Sequence, residues 1–185
     1  DQLERTLKHD VIAFLTAVTE VVGEPARHLH KGMTSSDVLD TVLALQLRDA
    51  GALILGALDR VLDALERRAQ EHAATLCMGR SHGMHAEPTT FGLKLAGHWD
   101  ALRRAGVRIR AAQVEIAVGQ ISGAVGTHAH LDPAVEASVC AALGLRPSPI
   151  ATQVIARDRH AAWFQALALL ATTVEALAVE IRHLQ

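Results

Sequence analysis

Apolar residues recur at helical spacing through most of this chain. From about Asp37 to about Ala73 no proline interrupts the pattern, and Ile54, Leu58, Val61 and Leu65 repeat at the four-three-four spacing of a packed helix face. Asp59, Arg60, Asp63, Glu66 and Arg67 fall largely on the other side. Gly51 and Gly56 interrupt this segment, each at a cost of about 1 kcal/mol relative to alanine in a helix interior. A second long pattern runs from about Thr90 to Val118, with Leu95, Trp99, Leu102, Ile109 and Ile116 on one stripe. Asp132-Pro133, followed by apolar residues and Gly144, predicts a short helix with its N-cap, first-turn proline and terminal glycine. A further helix starts near Asp158, and the pattern continues through Val174 to Gln185 with neither a glycine cap nor a proline stop. The first of these helices, roughly 37 residues, would extend about 55 Å at 1.5 Å per residue. A compact globule of this length has a radius of gyration of only about 16 Å. The predicted fold is therefore all-α, an elongated bundle of long helices whose apolar flanks need partners, so a homo-oligomer is expected.

Composition supports helix over strand. Of the 185 residues half are apolar, only 3% are aromatic and none is tyrosine. Lys plus Arg number 18 against 20 for Asp plus Glu, a net charge of -2 that offers no basic surface for nucleic acid. Cys77 and Cys140 lie far apart without a C-x-x-C motif or a secretory signal, which points to a reducing compartment, with the cytoplasm the default. The longest uncharged run, Ala161 to Val174, falls short of the roughly 20 residues that span a bilayer and reads as a buried helix, so no membrane partner is expected. The chain starts at Asp1 without an initiator methionine, and both ends are expected to be internal to a longer sequence.

Four polar breaks interrupt the helical patterns: Lys8-His9-Asp10, Leu29 to Val38 (LHKGMTSSDV), Gly79 to Gly92 (GRSHGMHAEPTTFG) and Ile121 to His130 (ISGAVGTHAH). Thr152-Gln153 is a smaller one. In a long bundle such breaks can converge at one end of the helices or across a subunit boundary. Thr34, Ser35, Ser36 and Asp37 directly precede a helix, where hydroxyls and unpaired N–H groups form an anion site for carboxylate or phosphate. The same residues also fit an ordinary N-cap. Gly32 would let backbone approach a ligand closely.

Between Ser81 and Gly83, His82 sits in a segment dense in functional groups, read here as a loop. Imidazole can donate or accept a proton near neutral pH, although a lone loop histidine is often simply solvated. His82, His85 and Glu87, or the pairs His28/His30 and His128/His130, also allow a metal reading, but no HExxH, CxxC or calcium-loop spacing occurs and no metal is expected. His72, His98 and His183 lie within helix patterns and read as surface or packing residues. Phosphate-loop, dinucleotide-binding and nucleophile-elbow motifs are missing from the 185 residues, which argues against nucleotide hydrolysis, hydride transfer and serine-hydrolase chemistry.

The blocks LKHDVIAF, HKGMTSSDVLDT, GRSHGMHAEPTTFGLKLA, GQISGAVGTHAHLDP and ATQVIARDRHA together resemble the adenylosuccinate lyase family of the fumarase/aspartase superfamily, over essentially all of the chain. Fumarases and argininosuccinate lyases share that architecture but differ at the TSSD position. The resemblance implies cleavage of a C–N bond by β-elimination with release of fumarate and without a cofactor. The family's substrates are adenylosuccinate, giving AMP, and the succinyl-carboxamide ribotide of purine biosynthesis. His82 matches the general acid that protonates the leaving nitrogen. A positioned acid is worth about 10²- to 10⁴-fold, or roughly 3 to 5 kcal/mol of barrier. His9 matches a second active-site histidine, with Lys8 and Asp10 beside it as substrate-binding candidates. Thr34 and Ser35 match the residues that hold the succinyl carboxylates, Gln153 a substrate-binding glutamine and His30 a further active-site histidine. Ser81 joins the substrate-binding set, and Ser122 and Gly123 belong near the site.

The resemblance further implies a homotetramer whose active sites are assembled from three subunits around a central helical bundle. Residues 1–33 would end the N-terminal helical domain and 34–185 would form an incomplete central domain. The mobile loop with the catalytic serine base and its S-S-x-M-P-x-K-x-N-P signature does not occur here and is expected C-terminal to Gln185. The first part of the N-terminal domain and the C-terminal helical domain are likewise expected to lie outside the chain, so these residues alone are expected to be inactive. Argininosuccinate lyase is the competing enzyme reading. A non-enzymatic helical scaffold descended from a lyase is the competing class.

Overall fold

A computed structural model describes residues 2–185. In order, the elements are α1 (Gln2–Leu7), α2 (Asp10–Val22), a 3₁₀ turn (Glu24–His28), α3 (Ser35–Glu71), β1 (Leu76–Ser81), β2 (Met84–Thr90), α4 (Phe91–Ile116), β3 (Val118–Gly119), α5 (Pro133–Leu143), β4 (Arg146–Pro147) and α6 (Asp158–His183). The chain divides into two compact units, one comprising Asp1–Leu45 with Ala117–Ala156, the other Gln46–Ile116 with Arg157–Gln185. The all-α class and the four predicted helices hold, each within a few residues of its expected limits.

In the second unit the helices pack through leucines at heptad-like spacing. Leu95, Leu102, Ile109 and Ile116 recur every seventh residue along α4, and each is buried. Leu102 and Leu95 meet Leu58 and Leu65 of α3, while Ile109 and Ile116 surround Trp163 and Ala166 of α6. Trp163 is 1% exposed; at about 25 cal/mol per Å², its burial contributes roughly 4 to 6 kcal/mol. Gly51 exists for that packing: a Cβ there would stand 2.6 Å from Trp163 Cη2 and 3.0 Å from the Gln113 side-chain nitrogen. Val61, on the predicted stripe, remains 39% exposed, whereas Leu58 and Leu65 are buried against α4. An ion pair from Lys94 to Glu180 ties α4 to α6.

With up to two charges tolerated in an 18-residue window, α3 and α6 are both long and apolar enough to cross a membrane by length and composition, which counting only the uncharged run did not reveal. Both helices place side chains in the core clusters just described, but the run Ala161 to Val174, expected to be a buried helix, buries only Trp163 and Ala166.

The segment from Gly79 to Gly92 departs from its loop reading. β1 and β2 form an antiparallel hairpin with Ser81 paired to Met84, so His82 and Gly83 are the two turn residues. Their φ values of 55° and 75° are those of a type I′ turn, whose twist suits a hairpin. Gly79 on β1 faces both Ala86 and Glu87 at a bulge, since the register moves from Met78↔Pro88 to Arg80↔His85. Pro88 is tolerated because a two-stranded ribbon leaves each strand an open edge. At its base the ribbon is fastened to the end of α3: Phe91 N–H donates to Thr75 O (2.8 Å), Gly92 N–H to His72 O (2.9 Å), and the His72 ring meets Phe91 edge-on at 5.1 Å.

The first unit holds α1, α2, the start of α3, α5 and the short parallel pair β3–β4, with Ala44, Cys140 and Leu145 clustered in its core. Asp132 caps α5 by accepting from Ala134 N–H at 2.8 Å, and Gly144 ends it in the left-handed conformation, as the sequence predicts.

Candidate functional site

Within the first unit three of the polar breaks converge on the N-terminus of α3. Thr34 precedes the helix and Asp37 lies in its first turn, 1% exposed. The Asp37 carboxylate accepts three backbone N–H groups: Thr34 (2.9 Å) and Gly123 (3.1 Å) at Oδ2, and Ser122 (3.2 Å) at Oδ1. Asp37 thus supplies one half of a capping box, reaching back to the N-cap Thr34 N–H, while its other two bonds go to residues outside the helix. Thr34 Oγ1 accepts from Gln153 Nε2 at 3.4 Å, across 119 positions of sequence.

Four consecutive amides, 120 to 123, are all satisfied by side chains. Gln120 N–H donates to Thr41 Oγ1 (3.0 Å), Ile121 N–H to Glu136 Oε2 (2.7 Å), and Ser122 and Gly123 to Asp37. The Thr41 hydroxyl in turn donates to Gln120 O at 3.1 Å. Buried N–H groups must find acceptors, and a segment outside helix and sheet takes them from side chains. Gln120, fully buried, donates its amide to the carbonyls of Thr152 and Gln153, both at 3.1 Å, which fixes the bend that carries Gln153. Asp40 accepts from Ile155 N–H at 2.8 Å further along the same stretch. Gln120 Oε1 and Ser122 Oγ are buried without hydrogen-bond partners.

Asp40, Thr41, Gln120 and Glu136 do not stand out in the sequence, and Asp37 does so only as part of the helix-start segment with Thr34, Ser35 and Ser36. A signal for three of them was present: Asp37, Asp40 and Thr41 are spaced i, i+3, i+4, so they share one face of α3, and all three are buried. Charged residues buried on one helix face have partners to serve. Glu136 also faces His128, whose Nε2 stands 3.4 Å from Glu136 Oε1 without the alignment of a hydrogen bond. That contact is electrostatic and depends on a protonated imidazole.

The remaining predicted residues are placed as follows. His30 has φ 59° within a turn closed by Met33 N–H to His30 O (3.1 Å), and its Nε2 is buried without a hydrogen bond. Ser35 is the first residue of α3. Lys8, His9 and Asp10 are exposed at the junction of α1 and α2 and line a surface depression with Glu4 and Arg5. His9 Nδ1 caps α2 by accepting from Ile12 N–H at 3.4 Å and lies 3.3 Å from Asp10 Oδ1. Ser81 and His82 belong to the second unit, at the exposed end of its hairpin. Among the described residues the non-glycine positions with positive φ are Lys8, His30, His82 and His128. Three of these four, Lys8, His30 and His82, are predicted site residues. Among the described residues no group of three His, Cys, Asp or Glu side chains is placed to hold a metal ion.

Chemically, the first-unit cluster offers hydroxyl and amide groups at a helix N-terminus, a setting suited to a carboxylate. A family model described as lyase matches residues 2–185. The chain is 56% identical over 186 aligned positions to an adenylosuccinate lyase of Synechocystis sp. and 50% identical over 184 to that of Bacillus subtilis, covering all of this chain and 43% of each relative. The chain therefore spans less than half the length of these relatives. Among solved structures, a fumarate lyase from Mesorhizobium sp. BNC1 superposes with a TM-score of 0.90 at 33% identity, over 97% of this chain and 43% of that one. A 3-carboxy-cis,cis-muconate lactonizing enzyme from Pseudomonas putida gives 0.87 at 34% identity, over 96% and 42%.

Proposed function

The chain belongs to the lyase family, and from that premise we propose that the whole enzyme of which it forms part cleaves adenylosuccinate to AMP and fumarate by β-elimination. The succinyl-carboxamide ribotide of purine biosynthesis is its proposed second substrate. The observation that carries this reading is the contact of Gln153 with Thr34 at the start of α3, which unites two sequence-distant polar breaks at one carboxylate-compatible place.

In the proposed reaction a base removes a proton from the carbon beside a carboxylate, negative charge builds on that carboxylate, and the C–N bond breaks as the nitrogen gains a proton. Thr34 and Ser35, with the positive end of α3, hold the succinyl carboxylates and stabilise the developing charge. Gln153 and His30 bind substrate near them. His82 protonates the departing nitrogen, and Ser81 supports it from the preceding position. Lys8, His9 and Asp10 contribute to substrate binding, His9 also assisting the chemistry. The base is supplied by a serine outside these residues, so the 185-residue chain alone is proposed to be inactive.

His82 and His9 lie on exposed segments, and an acid works best where water is excluded. We therefore propose a homotetramer, with each site completed by residues of more than one subunit. Two features of the second unit support an assembly: Phe164 is 56% exposed and Ile181 52% exposed on α6, and an apolar groove is lined by Val61, Leu65, Phe91, Leu95 and Leu177. In this scheme residues 1–33 end an N-terminal helical domain, residues 34–185 belong to the central bundle, and the enzyme works in the cytoplasm without a cofactor.

Assaying the whole enzyme on adenylosuccinate and on argininosuccinate tests the substrate assignment. Fumarate release from the first alone is expected; release from argininosuccinate alone would replace the assignment, and release from neither would favour a non-enzymatic scaffold.

A further inference from the structure

Asp37 joins two parts of the candidate site through one buried carboxylate. Its Oδ2 receives Thr34 N–H and Gly123 N–H, and its Oδ1 receives Ser122 N–H. One partner set is held by further bonds, Gln120 N–H to Thr41 of α3 and Ile121 N–H to Glu136 of α5. Segment 120–123 is thus a fixed reference, and Asp37 ties Thr34 to it. At 1% exposure the carboxylate has no access to water, so a lost bond would leave a buried N–H group unpaired.

We propose that Asp37 is a positioning residue for the substrate carboxylate: it sets the place of Thr34, and with it the Gln153–Thr34 contact, relative to the 120–123 segment. This rests on the reading that Thr34 and Ser35 hold that carboxylate. Asparagine is nearly isosteric but has one acceptor oxygen. In Asp37→Asn either Ser122 N–H, or both Thr34 N–H and Gly123 N–H, would face an NH₂ group, donor against donor. A displacement on the order of 1 Å at a positioning contact costs about 100-fold in rate.

The test uses the whole enzyme and two product inhibitors, fumarate, which carries the carboxylates, and AMP, which has none. Thr34→Ala first checks the underlying reading by weakening fumarate inhibition; if it has no effect on fumarate, the carboxylate assignment fails on its own terms. Asp37→Asn is expected to weaken fumarate inhibition at least tenfold and to raise KM for adenylosuccinate, with the AMP inhibition constant changed less than twofold. Equal weakening of both inhibitors, or unchanged fumarate inhibition beside an active Thr34 control, would overturn the proposal. Should Asp37→Asn not fold, amide hydrogen exchange on the unaltered enzyme decides it. Fumarate should then slow exchange at Ser122 and Gly123 together with Thr34, and slowing at Thr34 alone would refute the link.

Discussion

At Gly83 the backbone takes φ 75° and a Cβ would meet nothing within 4 Å, so the glycine is there for conformation and not for space. A left-handed residue with a Cβ costs roughly 1 to 2 kcal/mol. Gly83→Ala should therefore reduce amide protection along β1 and β2 about fivefold or more, while Gly83→Asn, which tolerates that region, should stay near the parent. Equal protection in the alanine variant would exclude the I′ turn. His82 shares the left-handed conformation without being a glycine. Sequence alone exposed the density of polar groups around His82 but not this backbone constraint, because φ leaves no trace in composition. At Asp37 the TSSD spelling disclosed a helix start, yet the carboxylate's bonds to Ser122 and Gly123 span more than 80 positions and are invisible to any local pattern.

Among the elements, the long helices were legible because burial repeats with them: Leu95, Leu102, Ile109 and Ile116 keep one face of α4 in the core for its whole length. The hairpin was not legible. Its strands are largely exposed, so they lack the apolar–polar alternation that marks a half-buried strand, and Pro88 argues against a strand. The α4–α6 packing carries a charge test. Glu180 is held below the ordinary glutamate range, first by its hydrogen bond from Lys94, against the opposing effect of burial. A carboxyl depressed in the folded state adds stability above its unfolded pKa and loses it as pH falls through the folded value. Lys94→Ala should cost about 0.5 to 1 kcal/mol at neutral pH, and the difference from the parent should vanish in acid below the usual glutamate range. Thermal unfolding at both pH values measures it; a difference that persists in acid would mean that Lys94 acts by packing.

For the molecule as a whole, the lyase family match spans both compact units, while the Thr34–Gln153 cluster lies in one and His82 in the other. In the proposed reaction both take part, with His82 as the acid. Turnover of adenylosuccinate by the whole enzyme carrying His82→Ala, followed as fumarate release beside a thermal unfolding curve, tests it most directly. The expected result is an unchanged unfolding midpoint with turnover lowered about 10²- to 10⁴-fold, the contribution of a positioned acid. Turnover within a fewfold of the parent at the same stability would contradict the claim.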